Sequence, residues 1–249
     1  MNTRKSGFFK RFFDFCFGLY MLVIAAVCVL VGLLVTIIVP VARWREVLTS
    51  GIAKSIFVLS FVPVDVIGRE HLPDGDCVVV GNHMSYVDGL LLRGYLPARF
   101  SFVIKGEVRK VPVLHFLLRR SGSRFVDRNE GAASARDARQ IVKAAKSGQS
   151  LAVFPEGTFK ADPGLLPFRP GAFAAAVAGK VPTVPIVLAG TRHMLPAGRA
   201  IPRFSRIRIT ILPPIDTAHT AYASRRDLAA EARRRILEVL DEPDLDPPK

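Results

Sequence analysis

The chain is poor in cysteine and in acidic residues, and both shortages limit the kinds of site and of binding partner that we expect. Its cysteines are Cys16, Cys28 and Cys77, an odd number without metal-binding spacing. Neither a disulfide framework nor a cysteine-ligated zinc site is therefore expected, and reduced thiols suit a protein that faces the cytosol. The 21 acidic residues stand against 35 lysines and arginines, for a formal net charge of +14. Such a charge favours anionic partners: nucleic acid, an anionic membrane surface or phosphorylated small molecules.

Nucleic acid is the least favoured of these partners. The chain has no zinc-finger or RNA-binding signature, and it opens with an apolar segment. With 249 residues, 50% of them hydrophobic, it is long enough for one soluble domain with a full core. We therefore expect no nucleic-acid partner and a single main domain.

Residues 1–62 have the composition of a membrane anchor. The first 14 residues mix basic side chains with phenylalanines, and no residue from Phe15 to Ala42 is charged. A second apolar stretch, Ile52 to Val62, is too short to span a bilayer as a helix. Two arrangements fit, a helical pair that dips into one leaflet or one span followed by an interfacial stretch. Basic residues flank the first segment on both sides, so the positive-inside rule chooses no orientation.

From residue 63 the chain alternates β-branched runs with helical patterns. This alternation predicts an α/β domain over residues 63–241, with a mixed, largely parallel sheet flanked by helices. The predicted strands are Val64–Ile67, Cys77–Val80, Phe100–Ile104, Leu151–Phe154, Thr183–Leu188 and Ile207–Leu212. The predicted helices are Val87–Tyr95, Pro112–Leu118, Ala132–Lys146, Ala172–Ala178 and Ser224–Leu240. Residues 242–249, acidic and rich in proline, are expected to form a flexible tail.

A histidine and a carboxylate follow the strand predicted at Cys77–Val80. His83 lies just past the strand end, and Asp88 comes five residues later. On one continuous helix the two side chains would point about 140° apart. With His83 in a turn and Asp88 in the next helix, the carboxylate can fold back onto the imidazole. It would then fix the tautomer and leave the other ring nitrogen as a general base. The alternative is a structural histidine at a strand end.

A second segment, Gly122 to Arg128, is flanked by basic residues. Its pattern predicts a short strand that ends in an arginine. Arginine offers paired donors to phosphate oxygens and keeps its charge at any working pH. Arg128 and Lys105, each at a strand end, are therefore candidate phosphate ligands. The alternative is that these cations are solvated surface residues.

The third segment runs from Phe154 to Thr158 and follows a predicted buried strand. Gly157 allows the backbone to approach a ligand closely, and Thr158 adds a hydroxyl donor. Glu156, which we expect to be exposed in this loop, can orient an arginine or bind a substrate hydroxyl. An ordinary β-turn with an exposed glutamate is the alternative interpretation.

Taken together, the segments resemble the 1-acyl-sn-glycerol-3-phosphate acyltransferases of the glycerolipid acyltransferase group. The matches, in order within residues 78–188, are an Asn-His-x-x-x-x-Asp signature at Asn82, His83 and Asp88, an arginine block at Gly122–Arg128, Phe-Pro-Glu-Gly-Thr at Phe154–Thr158, and a proline-flanked strand at Val181–Pro185. The family often continues the third block with Arg-Ser, whereas Phe159 and Lys160 follow here. A frequent tryptophan of the first block is Tyr86.

The resemblance implies a membrane-bound enzyme of phospholipid biosynthesis. It would move a fatty acyl chain from acyl-CoA or acyl carrier protein to the sn-2 hydroxyl of 1-acyl-sn-glycerol 3-phosphate, forming phosphatidic acid. His83 would be the base and Asp88 its partner, without a metal or a bound cofactor. The substrate ligands would be Lys105, Arg128, Glu156, Gly157 and Thr158. Because the donors are cytosolic, the domain is expected on the cytoplasmic face of the inner membrane, which favours the re-entrant helical pair.

Two alternatives remain open at this stage. The acceptor can be another lyso-lipid, such as a lyso-ornithine lipid or lysophosphatidylglycerol. The chain can also be a catalytically silent membrane adaptor that binds anionic lipids. A metal hydrolase is disfavoured because the other histidines, His71, His115, His193 and His219, are scattered along the chain.

Overall fold

The computed structural model describes residues 2–126, 132–217 and 224–246. The helices are α1 Asn2–Ile38, α2 Ala42–Leu59, α3 Asp88–Tyr95, α4 Pro112–Arg120, α5 Ala132–Lys146, α6 Ala174–Gly179, α7 Thr191–Met194 and α8 Arg225–Leu237. The strands are β1 Val64–Ile67, β2 Val78–Gly81, β3 Ser101–Lys105, β4 Arg124–Val126, β5 Leu151–Val153, β6 Thr183–Ala189 and β7 Ile207–Ile211. Each predicted strand and helix is present within a few residues of its predicted bounds.

The seven strands form one sheet in the order β1-β7-β6-β2-β5-β3-β4. Every neighbouring pair is parallel except β6 and β7, which run antiparallel. The predicted mixed, largely parallel sheet flanked by helices is therefore confirmed. Because β2 to β6 all run in one direction, their carboxyl ends share one edge of the sheet, where ligands of α/β proteins commonly bind.

Successive residues of a strand point to opposite faces of the sheet, and each face has its own apolar core. Val79 of β2 belongs to the first core, which includes Phe57 of α2 and Leu91 of α3. Val78 and Val80 belong to the second core, which α5, α6 and α8 cover. Strand β2 is therefore apolar on both sides, so the polar groups that belong to it lie in the turn at its end.

Helix α1 lies along the domain and contacts it near the helix middle and near the carboxyl end of the helix. A Cβ atom at Gly18 would lie only 2.4 Å from atoms of Ile201 and Pro202, so only a glycine permits this approach. Near the carboxyl end, Arg120 Nε donates to the Thr36 carbonyl at 3.0 Å. Within the described residues, the one helix long and apolar enough to cross a bilayer is the mostly unburied Phe9–Ile38 part of α1. This apolar helix indicates membrane association.

The described part of the predicted tail packs against the domain, which differs from the expectation of a flexible tail. Leu165 N–H donates to the Pro243 carbonyl at 2.9 Å, and Leu245 N–H donates to the Leu165 carbonyl at 3.1 Å. Arg233 of α8 also pairs with Asp244, with Nη1 and Oδ2 3.0 Å apart. The acidic composition that suggested a free tail serves here to pair with arginines of the domain.

Candidate active site

His83 lies in the turn after β2, and Asp88 is the first residue of α3, as the spacing predicts. Asp88 Oδ2 lies 2.8 Å from His83 Nδ1 and also accepts backbone N–H groups of Met84 at 2.7 Å and Ser85 at 2.8 Å. The Asp88 side chain is fully buried, whereas the His83 side chain is 19% exposed. With Nδ1 donating to the carboxylate, Nε2 is the ring nitrogen left with a lone pair for a substrate proton.

Two polar side chains fix the turn that carries His83. The Asn82 amide bonds to Leu188 of β6 in both directions, accepting from its N–H at 2.8 Å and donating to its carbonyl at 3.0 Å. Ser85 Oγ donates to the Leu195 carbonyl at 2.7 Å. Sequence reasoning assigned neither contact, since both partners lie more than 100 residues away. Asn82 therefore ties the end of β2 to β6, and Ser85 acts as a structural hydroxyl.

Two aromatic rings pack against the His83 imidazole and fix its orientation. The Phe154 ring stacks on His83 with centroids 4.3 Å apart and planes 14° from parallel. Phe159 approaches at 4.5 Å with planes tilted by 52°, and it meets Tyr86 edge-on at 4.8 Å. Phe159, which occupies the place where the related family often has arginine, thus forms a wall of the site.

Glu156 is buried rather than exposed, which corrects the expectation from its loop sequence. Only 4% of the residue is exposed. Its Oε1 accepts the His83 backbone N–H at 2.6 Å, and its Oε2 accepts the Leu166 N–H at 2.9 Å. Each oxygen thus accepts a hydrogen bond from a backbone donor, so this carboxylate joins two loops. Burial raises the pKa of Glu156 to about 7, although these two hydrogen bonds and the charge of Arg192 lower it.

The turn after Glu156 depends on a glycine. Gly157 has φ of +77°, in the left-handed region, and its N–H donates to the Phe154 carbonyl at 3.1 Å. Glycine adopts this conformation without the cost that a Cβ atom imposes. Gly157 is buried beneath the turn, while Thr158 is exposed. Of the third block, Thr158 is therefore the residue that is exposed to solvent.

The two candidate phosphate ligands are only partly described. β3 ends at Lys105, which is paired in register with Val126 at the end of β4. Both strand ends lie on the same edge of the sheet as His83, with β3 two positions from β2. Arg128 and the Lys105 side chain lie outside the described residues. Within the described ranges, no three His, Cys, Asp or Glu side chains are grouped to hold a metal ion.

The comparisons with known proteins agree with this fold. A family model described as Acyltransferase matches residues 63–189, just over half of the chain. The chain belongs to the acyltransferase family, and the resemblance found in the sequence blocks is confirmed.

Two individual relatives have the same enzyme name. The chloroplastic 1-acyl-sn-glycerol-3-phosphate acyltransferase BAT2 of Brassica napus is 34% identical over 206 residues, which cover 80% of this chain and 58% of the relative. A 1-acyl-sn-glycerol-3-phosphate acyltransferase of Saccharomyces cerevisiae is 27% identical over 90% of this chain and 73% of its own length. This chain therefore spans little more than half of the Brassica protein.

A solved structure has the same fold over nearly its whole length. The crystal structure of the 1-acyl-sn-glycerophosphate acyltransferase PlsC from Thermotoga maritima aligns with a TM-score of 0.77 at 25% identity. The alignment covers 92% of this chain and 95% of that one. The similarity therefore includes α1 and α2 as well as the sheet.

Proposed function

We propose that the chain transfers a fatty acyl group from a thioester to the sn-2 hydroxyl of 1-acyl-sn-glycerol 3-phosphate, forming phosphatidic acid. The observation that carries the proposal is the contact of 2.8 Å between His83 Nδ1 and Asp88 Oδ2 at the open edge of the sheet. The relatives named above are enzymes of this description.

The chemistry follows from the protonation state of the imidazole. An alcohol has a pKa far above neutrality, so its attack on a thioester requires a base within hydrogen-bond reach. His83 Nε2 takes the hydroxyl proton while the oxygen forms a bond to the thioester carbonyl carbon. As the C–S bond breaks, the imidazolium returns the proton to the leaving thiolate. Asp88 stabilises the imidazolium in between and keeps the ring oriented. No metal, bound cofactor or acyl-enzyme is required.

Anionic groups on both substrates suit the charge of the protein. The acceptor carries a phosphate, for which Lys105 and Arg128 are the proposed ligands, with Thr158 contributing a hydroxyl. Acyl-CoA and acyl carrier protein are both anionic, so the net charge of +14 attracts either donor. The same charge favours an anionic membrane surface, where the lyso-lipid resides.

The anchor is proposed to lie in one leaflet rather than to span the bilayer. Gly18 and Thr36 both contact the catalytic domain, and they are about 27 Å apart along α1 at 1.5 Å per residue. A helix that crossed the hydrocarbon core of about 30 Å would therefore draw the domain in with it. Several large apolar side chains on α1, on α2 and just beyond it remain exposed, among them Phe12, Leu30, Ile38, Trp44 and Phe61. These contacts support a monotopic pair, with the site facing the cytoplasm, where the donors are.

The test uses the purified full chain in mixed micelles with 1-acyl-sn-glycerol 3-phosphate and acyl-CoA. Thiol release and phosphatidic acid formation are followed together for the wild type and His83→Ala. We expect equal amounts of both products from the wild type and none from the variant. His193→Ala, at an exposed histidine outside the His83 turn, is the matched control and should retain activity.

Each other outcome identifies a different function. Thiol release without phosphatidic acid would indicate thioester hydrolysis. Activity only with lyso-ornithine lipid or lysophosphatidylglycerol would move the proposal to that acceptor. Inactivity with CoA and carrier-protein donors across all these acceptors would favour an adaptor that binds anionic lipids.

A further inference from the structure

The loop that follows Gly157 is hydrogen-bonded to residues near the end of the described chain. We call residues 159–166 the Phe159 loop and residues 242–246 the strap. Leu165 is bonded to the strap through both its backbone groups, to Pro243 at 2.9 Å and Leu245 at 3.1 Å. The strap, which is remote in sequence from every block that defines the family, therefore pairs with the Phe159 loop like a short strand.

One ion pair connects the strap to the loop and to α7, the short helix that follows β6. Glu242 forms a bidentate pair with Arg192, with Nε–Oε1 and Nη2–Oε2 distances of 2.7 Å each. Glu242 Oε2 also accepts the Gly164 N–H at 2.8 Å. The remaining terminal nitrogen of Arg192, Nη1, donates to the carbonyls of Lys160 at 2.5 Å and Asp162 at 2.8 Å. Both side chains are largely buried, at 14% and 13% exposure, so the pair is well shielded from solvent.

The Phe159 loop in turn is connected to His83 in two ways, once through Glu156 and once by direct contact. The Leu166 N–H at its far end binds Glu156 Oε2, whose other oxygen binds the His83 N–H at 2.6 Å. The Phe159 ring at its near end lies 4.5 Å from the imidazole. A displacement of the loop would therefore move both the backbone and the ring surroundings of His83.

We propose that Glu242 and Arg192 are positioning residues, which hold the Phe159 loop so that His83 keeps its geometry for proton transfer. Neither residue touches the reacting atoms. Their effect passes through the loop carbonyls and Glu156 to the His83 turn. The consequence for rate rests on the proposed acyl transfer, whereas the consequence for loop order does not.

The experiment compares Glu242→Gln and Arg192→Gln with the wild type as full chains in detergent micelles. Hydrogen exchange of residues 83–85 and 158–166 is measured by mass spectrometry, together with kcat and KM. Glu238→Gln is the control, because its carboxylate also pairs with an arginine but lies exposed on the surface of α8. Arg192→Lys tests the mechanism, since lysine keeps the charge but lacks the planar fork that bonds carboxylate and carbonyls at once.

We expect faster exchange in both peptides for the two variants, and kcat about tenfold lower with KM changed less than about twofold. Arg192→Lys should resemble Arg192→Gln, and Glu238→Gln should resemble the wild type. Unchanged exchange, or full rescue by lysine, would overturn the proposal. So would a loss of activity that only parallels a smaller folded fraction. If the wild type shows no acyl transfer, the proposed function fails, and the exchange data alone decide whether the strap orders the loop.

Discussion

The loops after β2 and β5 each place a buried carboxylate beside His83, and they use it in different ways. Asp88 gathers three N–H donors on one oxygen, one of them from the imidazole. Glu156 divides its two oxygens between the backbone N–H groups of His83 and Leu166. The first carboxylate controls the reacting ring, and the second joins two loops. The atoms that an acid binds, rather than its closeness to the histidine, therefore indicate its role.

The largest effect should follow from Asp88→Asn, which keeps the shape but removes the charge. An amide cannot both accept three N–H donors on one oxygen and stabilise the imidazolium. We expect kcat/KM to fall by about 10³- to 10⁴-fold, as when an orienting aspartate is lost from a catalytic triad. Initial rates of phosphatidic acid formation measure it, with Asp65→Asn on the exposed side of β1 as the isosteric control. A loss below about tenfold would mean that Asp88 is only a turn residue.

The pH dependence of stability should report on the protonation of Glu156. The raised pKa of Glu156, about 7 against an ordinary 4.5, means that the folded chain keeps a proton that the unfolded chain releases. The free energy of unfolding should therefore fall as pH rises from about 4.5 to 7, by on the order of 3 kcal/mol in total. The charge of Asp88 contributes to the raised pKa, and that of Arg192 opposes it.

The side chain of the Glu156→Gln variant does not titrate between pH 4.5 and 7, so the variant should not show this fall in the free energy of unfolding. Thermal unfolding midpoints at pH 5 and pH 7.5, in one detergent, give the comparison between variant and wild type. If the two proteins lose stability in parallel, another group is responsible for the pH dependence.

The kinetic effect of Glu156→Gln should be smaller than that of Asp88→Asn. Glutamine has one acceptor oxygen, so it can bind the N–H of His83 or of Leu166 but not both. We expect kcat to fall about tenfold through misplacement of His83, with little change in KM for the acceptor. A rise in KM alone would instead support the first interpretation, in which Glu156 binds a substrate hydroxyl.

The smallest effect concerns the turn that precedes Thr158. Gly157→Ala forces a Cβ atom into the left-handed region and should destabilise the fold by about 1 kcal/mol. That corresponds to a lowering of the melting temperature of about 2–4 °C for a chain of this size. Gly171→Ala is the matched control, because no atom lies within 4 Å of the added methyl group. Equal melting temperatures for Gly157→Ala and Gly171→Ala would contradict the predicted backbone strain at Gly157.

Local pattern was enough to predict most of the scaffold. Short continuous apolar runs predicted β2 and β5, and the spacing of His83 and Asp88 was compatible with a turn between β2 and α3. The four-residue helix α7 escaped prediction because one turn carries no periodicity to detect. Nothing in the composition around Glu242 distinguished a packed strap from a frayed tail, since acidic and proline-rich segments occur in both.

What the sequence by itself determined is the family and the succession of strands and helices along the chain, and it predicted the candidate base with its partner. They follow from short-range patterns, because residues that are close in sequence also lie close together at the end of a strand. Only the tertiary structure decided that Glu156 is buried, that Arg192 pairs with Glu242, and that α1 lies against the domain. Each of these depends on contacts between residues that are from 10 to 184 positions apart in sequence. Such contacts exist only once the sheet has brought the loop ends together, so no local pattern specifies them.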